Sequence, residues 1–349
     1  MAIGKAVRTP HMTQAHMTDA TTDGPEPNRS ASGARRRFGW QRDGMWRRGI
    51  ITAALALILA LLLSFHSDVP NRIGNLGSLL ETFLPWLGLA LPVLVVVALV
   101  RRSATALIAV LLPVLVWFNL FGGLLTDNEE SGGNLTVLTH NVNADNPDPT
   151  GTAKDVIAAG ADLVALEELA AGQVSTYRAA LAGAYPYHSV QGTVGLWSKY
   201  PIQGVRAVDI RLGWTRAMRA AVSTPQGQIA VYVAHMPSVR VKFNAGFTAG
   251  QRDSAADALG QSIVQEPLTK VVLLGDLNGT MNDRSLASVT SQMRSTQGAA
   301  GNGFGFSWPA DFPMARIDQI MVKGIEPMRS WTLKKTGSDH LPVAARLQI

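Results

Sequence analysis

The 349-residue chain has no cysteine. That excludes disulfides, thiolate nucleophiles and thiolate metal ligands. Charge is missing from three long stretches: 17 residues from Gly49 to Phe65, 19 from Thr82 to Val100, and 23 from Ser103 to Leu125. Apolar runs of that length argue against an ordinary water-soluble domain and predict three transmembrane helices over residues 49–125. The first run has no small-x-small exit and is followed by two more, which speaks against a cleaved signal peptide. No internal repeat is visible. A dense basic stripe is also lacking. Residues 1–132 hold 12 basic and 9 acidic side chains, and residues 133–349 hold 19 and 16, so each half carries +3. A surface built to track a nucleic-acid backbone clusters its Lys and Arg, so nucleic acid is possible as a partner but not favoured.

What the first half does contain is arginine at particular places. Arg35, Arg36, Arg37, Arg42, Arg47 and Arg48 precede the first run, and Arg101 and Arg102 separate the second from the third. Asp127, Glu129 and Glu130 follow the last. Basic residues mark the cytoplasmic side, and these arginines suit anionic lipid headgroups. The expected topology is multi-pass in the cell membrane, with a cytoplasmic N-terminus and everything after the third run outside. Residues 1–48 have the composition of a disordered, basic cytoplasmic tail. Residues 126–134 read as a short polar linker, and residues 135–349 as one catalytic domain.

In that domain, short apolar runs alternate with helical patterns. Strands are expected at Leu135–Asn141, Leu163–Leu166, Val194–Ser198, Gly204–Ile210, Ala217–Ser223, Ile229–His235, Lys270–Leu274, Ile317–Val322, Ser330–Leu333 and Leu341–Leu347. Helices are expected at Thr152–Ala159, Ala170–Leu181 and near Ala249–Val264. This pattern is α/β with mixed sheets.

Six islands at or beside strand ends carry the chemistry: T-H-N at Asn141, L-E-E-L at Glu168, V-A-H at His235, G-D-L-N at Asp276 and Asn278, R-I-D-Q-I at Asp318, and S-D-H at Asp339 and His340. Singly, each has a plain structural reading: a helix N-cap for Glu168, a turn for Asn141 or Asp276, a strand end for His235. Together they supply oxygen donors for a hard divalent cation, a carboxylate to orient or deprotonate water, and amide and imidazole groups to hold charge developing on phosphate. Strand alternation puts Asp276 and Asn278 on one side, flanking Leu277. Arg216 and Arg219 are candidate phosphate binders. Trp308 and Phe312 are candidates for an apolar wall, although core packing is their commoner use.

The order and spelling of these islands resemble the endonuclease/exonuclease/phosphatase superfamily, which includes DNase I and inositol-polyphosphate phosphatases. The resemblance implies a DNase I-like two-sheet α/β sandwich with its site at one mouth. It implies Asn141, Glu168 and Asp339 as metal residues for Mg²⁺, with Mn²⁺ possible. It also implies a catalytic set of His235, Asp276, Asn278, Asp318 and His340, in which Asp318 pairs with His340 and His235 helps the leaving group. The residue before the acidic ligand is usually Gln in that family and is Glu167 here. Membrane spans followed by such a domain resemble the actinobacterial membrane phosphatases of glycopeptide (teicoplanin-type) resistance. The expected activity is therefore an outward-facing, Mg²⁺-dependent phosphoesterase on a lipid-linked phosphate of the undecaprenyl type. An extracellular nuclease and a catalytically silent membrane-bound binding module are the alternatives.

Overall fold

The computed structural model describes residues 42–72, 74–238 and 246–349. Most of the expected disordered tail, residues 1–41, lies outside the described residues; Arg42–Met45 is a single helical turn. The first apolar run forms the 15-residue helix Ile50–Ser64, and the third forms Ala104–Phe121, prolonged by a 3₁₀ turn to Leu124. The second run departs from expectation. A helix at Leu76–Thr82 is followed by a 3₁₀ segment, Leu84–Leu89, and a helix, Ala90–Val100, and the two arms bend by 69°. The break falls at Phe83 (φ −107°, ψ 16°), and Pro85, in the first turn of the 3₁₀ segment, has no N–H with which to continue the preceding helix. Among the described residues, only Ala104–Leu124 is by itself long and apolar enough to cross a bilayer, with the bent pair a second span if its arms count as one.

The second half is a sandwich of two six-stranded sheets. Its strands are β1 (Leu135–Asn141), β2 (Leu163–Glu167), β3 (Tyr187–Gln191), β4 (Val194–Ser198), β5 (Ile202–Ala207), β6 (Ala217–Thr224), β7 (Gly227–Ala234), β8 (Val271–Asp276), β9 (Arg294–Ser295), β10 (Asp318–Lys323), β11 (Glu326–Thr332) and β12 (Val343–Gln348). One sheet runs β11-β12-β1-β2-β4-β3 and the other β5-β6-β7-β8-β10-β9. The pairs β1–β2 and β7–β8 are parallel; the rest are antiparallel. The ten expected strands are present, β1 and β4 with the expected ends and the other eight with shifted ones. The short edge strands β3 and β9 were not anticipated, because half-exposed polar residues such as His188 and Arg294 hide the period-2 signal.

Alternation along the strands sorts the side chains. Val137, Ala165, Leu196, Val231, Leu274 and Ile320 point between the sheets and form a fully buried core. Residues of the opposite parity meet the outer helices: Leu138, Val164 and Leu166 pack against Pro149–Ala158 and Val174–Leu181, and Tyr232 and Leu273 against Gly246–Val264. The linker lies on the sandwich, with Glu130 N–H donating to the Met328 carbonyl at 2.7 Å and Asn128 N–H to that of Gly301 at 3.2 Å. The sandwich also packs on the apolar helices. Trp86 stacks on Phe306 at 5.6 Å and donates its indole N–H to the Met314 carbonyl at 2.7 Å. Phe304 sits 6.1 Å from Phe121 and 6.4 Å from Trp117.

Candidate active site

Parallel strands end at a common edge, and this places the site. The C-terminal ends of β1, β2, β7 and β8 deliver Asn141, Glu167 with Glu168, His235 and Asp276 to one mouth of the sandwich. Strand β10 runs antiparallel to β8, so its first residue, Asp318, is in register with Asp276. The turn before β12 brings Ser338, Asp339 and His340. Gly275 has φ +152°, and a Cβ there would lie 1.9 Å from the Ala234 carbonyl. Gly275 thus lets β8 approach the end of β7 and sets Asp276 beside His235.

Asp276 is the hub. Its Oδ2 accepts from Asn141 Nδ2 at 2.9 Å and Asn278 Nδ2 at 3.1 Å, and its Oδ1 accepts the Asn278 N–H at 2.8 Å. Asp276 and Asn278 flank the buried Leu277, as the alternation predicts. Asn278 adopts φ +49° and also donates to the Met236 carbonyl at 2.9 Å. Burial, reinforced by Asp318 and opposed by the His340 cation, pushes Asp276 up to about 7. Its protonation is therefore poised near neutrality.

Behind it, Asp318 meets His340 Nδ1 at 2.9 and 3.1 Å and accepts from Ser307 Oγ at 2.6 Å. Burial would lower His340, but the carboxylates of Asp318 and Asp276 outweigh it and push its pKa up to about 10. Burial would raise Asp318, but the His340 cation and hydrogen bonds from His340 and Ser307 hold it below the usual carboxylate range. The pair is ionised at neutral pH, and the Nε2 of His340 lies 4.0 Å from Asp276 Oδ2. Asp276, Asp318 and His340 bring ligand-type atoms within 4.8 Å of one another. Because Asp318 and His340 are already joined to each other, the trio reads as a proton and charge relay.

His235 Nε2 lies 3.3 Å from Glu168 Oε1 and 3.6 Å from Asp276 Oδ2, and hydrogen-bonds to Arg216. Burial, then the Arg216 and His340 cations, hold its pKa well below the usual range, so it stands as neutral imidazole. Arg216 stacks 5.0 Å from the Trp214 ring. Arg219 is not brought to this cluster. Its guanidinium makes two bonds to Glu266, at 2.9 and 2.6 Å.

Glu168 has φ +56°, which turns its carboxylate out of the strand line to the mouth, where its side chain is 34% exposed. Asp339 is exposed. Consecutive residues hold the two acids: Asn143 Nδ2 donates to Asp339 at 3.0 Å, and the Ala144 N–H to Glu168 at 3.4 Å. Asn141 Oδ1 accepts the Asn143 N–H at 3.0 Å. Glu168, Asp339 and Asp276 line one cleft of about 390 Å³ with Asn278, His340, Ser238, Trp308, Ile317, Leu79, Thr82 and Phe83. Carboxylate oxygens that face a cleft and keep free lone pairs fit a hard divalent cation. Glu167 points between the sheets and accepts from Thr139 Oγ1 at 2.9 Å. Burial pushes its pKa well above the usual carboxylate range, favouring the neutral acid. A neutral Glu167 presents one donor and one acceptor, much as the glutamine usual at this position does.

Two contributors escaped the sequence reading. Ser307 bonds Asp318, and Ser338 Oγ donates to the Asn141 carbonyl at 2.7 Å while accepting the His340 N–H at 3.1 Å. Ser338 stands in the S-D-H island and could have been found there; Ser307 lies in a loop without a pattern. Trp308 lines the cleft, whereas Phe312 is 65% exposed on the surface.

The fold and this constellation define a phosphoester hydrolase built on a two-sheet α/β sandwich. The chain belongs to the Endonuclease/Exonuclease/phosphatase family, which matches residues 138–340. Curated protein sequences give no match. Similar solved structures include a humanized D. rerio TDP2, 17% identical over 62% of this chain and 99% of that one, with a TM-score of 0.52. The Bacteroides thetaiotaomicron mannosyl-6-phosphatase is 16% identical over 62% and 100%, with a TM-score of 0.51. Staphylococcus aureus beta toxin is 14% identical over 61% and 99%, with a TM-score of 0.51. At these identities the likeness establishes the fold alone.

Proposed function

We propose that this chain is a membrane-anchored, outward-facing, Mg²⁺-dependent phosphoesterase acting on a lipid-linked phosphate, of the kind found in the undecaprenyl cycle. Mn²⁺ is an acceptable substitute. The observation that carries the reading is the seating of the site: a relay of Asp318, His340 and Asp276 opens into a cleft in a sandwich packed by Trp86, Trp117 and Phe121 onto apolar helices. The multi-pass topology, with a cytoplasmic N-terminus, rests on the three uncharged runs and the arginines beside them.

In this reading Glu168 and Asp339, with Asn141 nearby, would hold the cation, whose charge would neutralise phosphate oxygens. Asp276 orients the attacking water and takes its proton, a role its position near neutrality suits. Asn141 and Asn278 aim the Asp276 carboxylate through its two oxygens. His340, kept cationic by Asp318, donates from Nε2 to the charge that grows on phosphate. His235 and Arg216 stand together at the site: the neutral His235 accepts from the Arg216 guanidinium at Nε2 and so aims a cation that can steady the leaving oxygen.

Phosphate release by the purified full-length chain in detergent tests this. Undecaprenyl diphosphate, a soluble monoester and DNA should be compared, each with Mg²⁺, with EDTA, and with Mg²⁺ restored. Release from the lipid that stops with EDTA and returns with Mg²⁺ is expected. DNA cleavage without phosphate release would put the nuclease reading first, and no turnover of any substrate would leave the silent binding module.

A further inference from the structure

One short helix shows two working faces at the mouth of the cleft. The Leu76–Thr82 helix ends at Phe83. Ser78 and Glu81, three residues apart, dock it on the sandwich. Ser78 Oγ accepts from Arg252 at 3.3 Å, and the Glu81 carbonyl accepts from Thr280 Oγ1 at 3.0 Å. The Glu81 carboxylate lies 3.4 Å from His66 and 3.7 Å from Arg284, which also reaches the Ser67 and Val69 carbonyls. Arg252 in turn donates to the Asn278 carbonyl at 2.6 Å and pairs with Asp283 at 2.6 Å. The helix is therefore tied to the same turn that carries Asn278.

Leu79, Thr82 and Phe83, spaced i, i+3 and i+4, share the adjoining stripe. All three line the catalytic cleft with Trp308 and Ile317, together with Asp276, His340, Glu168 and Asp339. Leu84, the next residue, is fully buried, but Leu79 and Phe83 are only half-buried and keep apolar surface open. A cleft with carboxylates and imidazole on one wall and hydrocarbon on the other is matched to an amphiphile. A sugar phosphate would set hydroxyls against Leu79 and Phe83 and gain nothing from their surface.

We propose that Leu79 and Phe83 are specificity-determining residues, forming the surface on which the apolar chain of a phosphate ester lies while its phosphate is held at Asp276 and His340. This rests on the phosphoesterase reading above and adds the part of the chain that selects the substrate. The short helix that leads into the second apolar run is thus a wall of the active site.

The test is a ratio. The full-length protein in detergent micelles is given a long-chain alkyl phosphate and a soluble short-chain alkyl phosphate, and kcat/KM is measured for each. Phe83→Ala and Leu79→Ala should each lower the long-to-short ratio about tenfold, the worth of one apolar contact surface of this size. Phe83→Leu, which keeps an apolar side chain, should hold the ratio within about threefold of the parent. Because both esters meet the same enzyme, a partly folded variant does not distort the ratio. An unchanged ratio in both alanine variants, with the unmutated chain active, overturns the proposal and leaves the phosphoesterase reading standing. Failure of that underlying reading looks different: the unmutated chain then releases phosphate from neither ester.

Discussion

Asp318→Asn should move the alkaline limit of activity by several pH units. The residue is fully buried, and asparagine keeps its shape and one acceptor for Ser307 or His340 while removing the charge. His340 owes its rise to about 10 to that charge and to Asp276, both acting against burial. Without Asp318, burial regains ground and the imidazole returns towards its ordinary 6.5. The active form of His340 is the cation, which exists below its pKa, so its contribution is present below that pH and lost as pH rises through it, while the acid limit of activity belongs to Asp276. At pH 8.5 a group with a pKa near 10 is about 97% protonated, whereas one near 6.5 is about 1% protonated, at tenfold per pH unit. The variant should therefore lose about 10²-fold in kcat/KM at pH 8.5 but less than about twofold at pH 6. The assay is kcat/KM for a soluble phosphomonoester from pH 5 to 10 at saturating Mg²⁺, which reports the free enzyme. A variant profile parallel to the parent's, lower at every pH by one factor, would refute the idea that Asp318 acts by keeping His340 charged.

Asp276→Ala should cut kcat by about 10²–10⁴-fold with circular dichroism unchanged; near-parent turnover would mean that water is activated elsewhere. An alkaline-phosphatase-type reporter fused after Leu125 should be active in the exterior compartment and one fused after Val100 silent, and the reverse pattern would overturn the outward-facing topology. Leu274→Ala, in the fully buried inter-sheet core, should destabilise the sandwich by about 2–5 kcal/mol in a denaturant titration; a shift under ~0.5 kcal/mol would show that the two sheets do not pack as described.

Much of this molecule is written locally. Short apolar runs such as V-Y-V-A or V-V-L-L-G, flanked by polar turns, identify buried strands whatever they pair with, and the outcome agrees at β7 and β8. The acid, amide and imidazole islands are legible because parallel strands release their last residues at one edge, so a polar group after an apolar run is already halfway to a site. The length of uncharged sequence likewise marks the apolar helices. What the local signal lacks is partners. Arg216 and Arg219 look alike in sequence, yet one reaches His235 and the other is held by Glu266, 47 residues away and just past the end of the Gly246–Val264 helix. The charge states of Asp276, His340 and Glu167 follow from burial and from carboxylates brought together across some 200 residues of chain, none of which spacing encodes. The uncharged run from Thr82 to Val100 reads as one helix, and only packing decides that the chain breaks at Phe83 and that the arm before it turns onto the sandwich, where Ser78 and Glu81 find Arg252 and Arg284. Backbone preference acts over a few residues and can be read from them, whereas the electrostatics and shape of a cleft belong to atoms that only the folded chain makes neighbours.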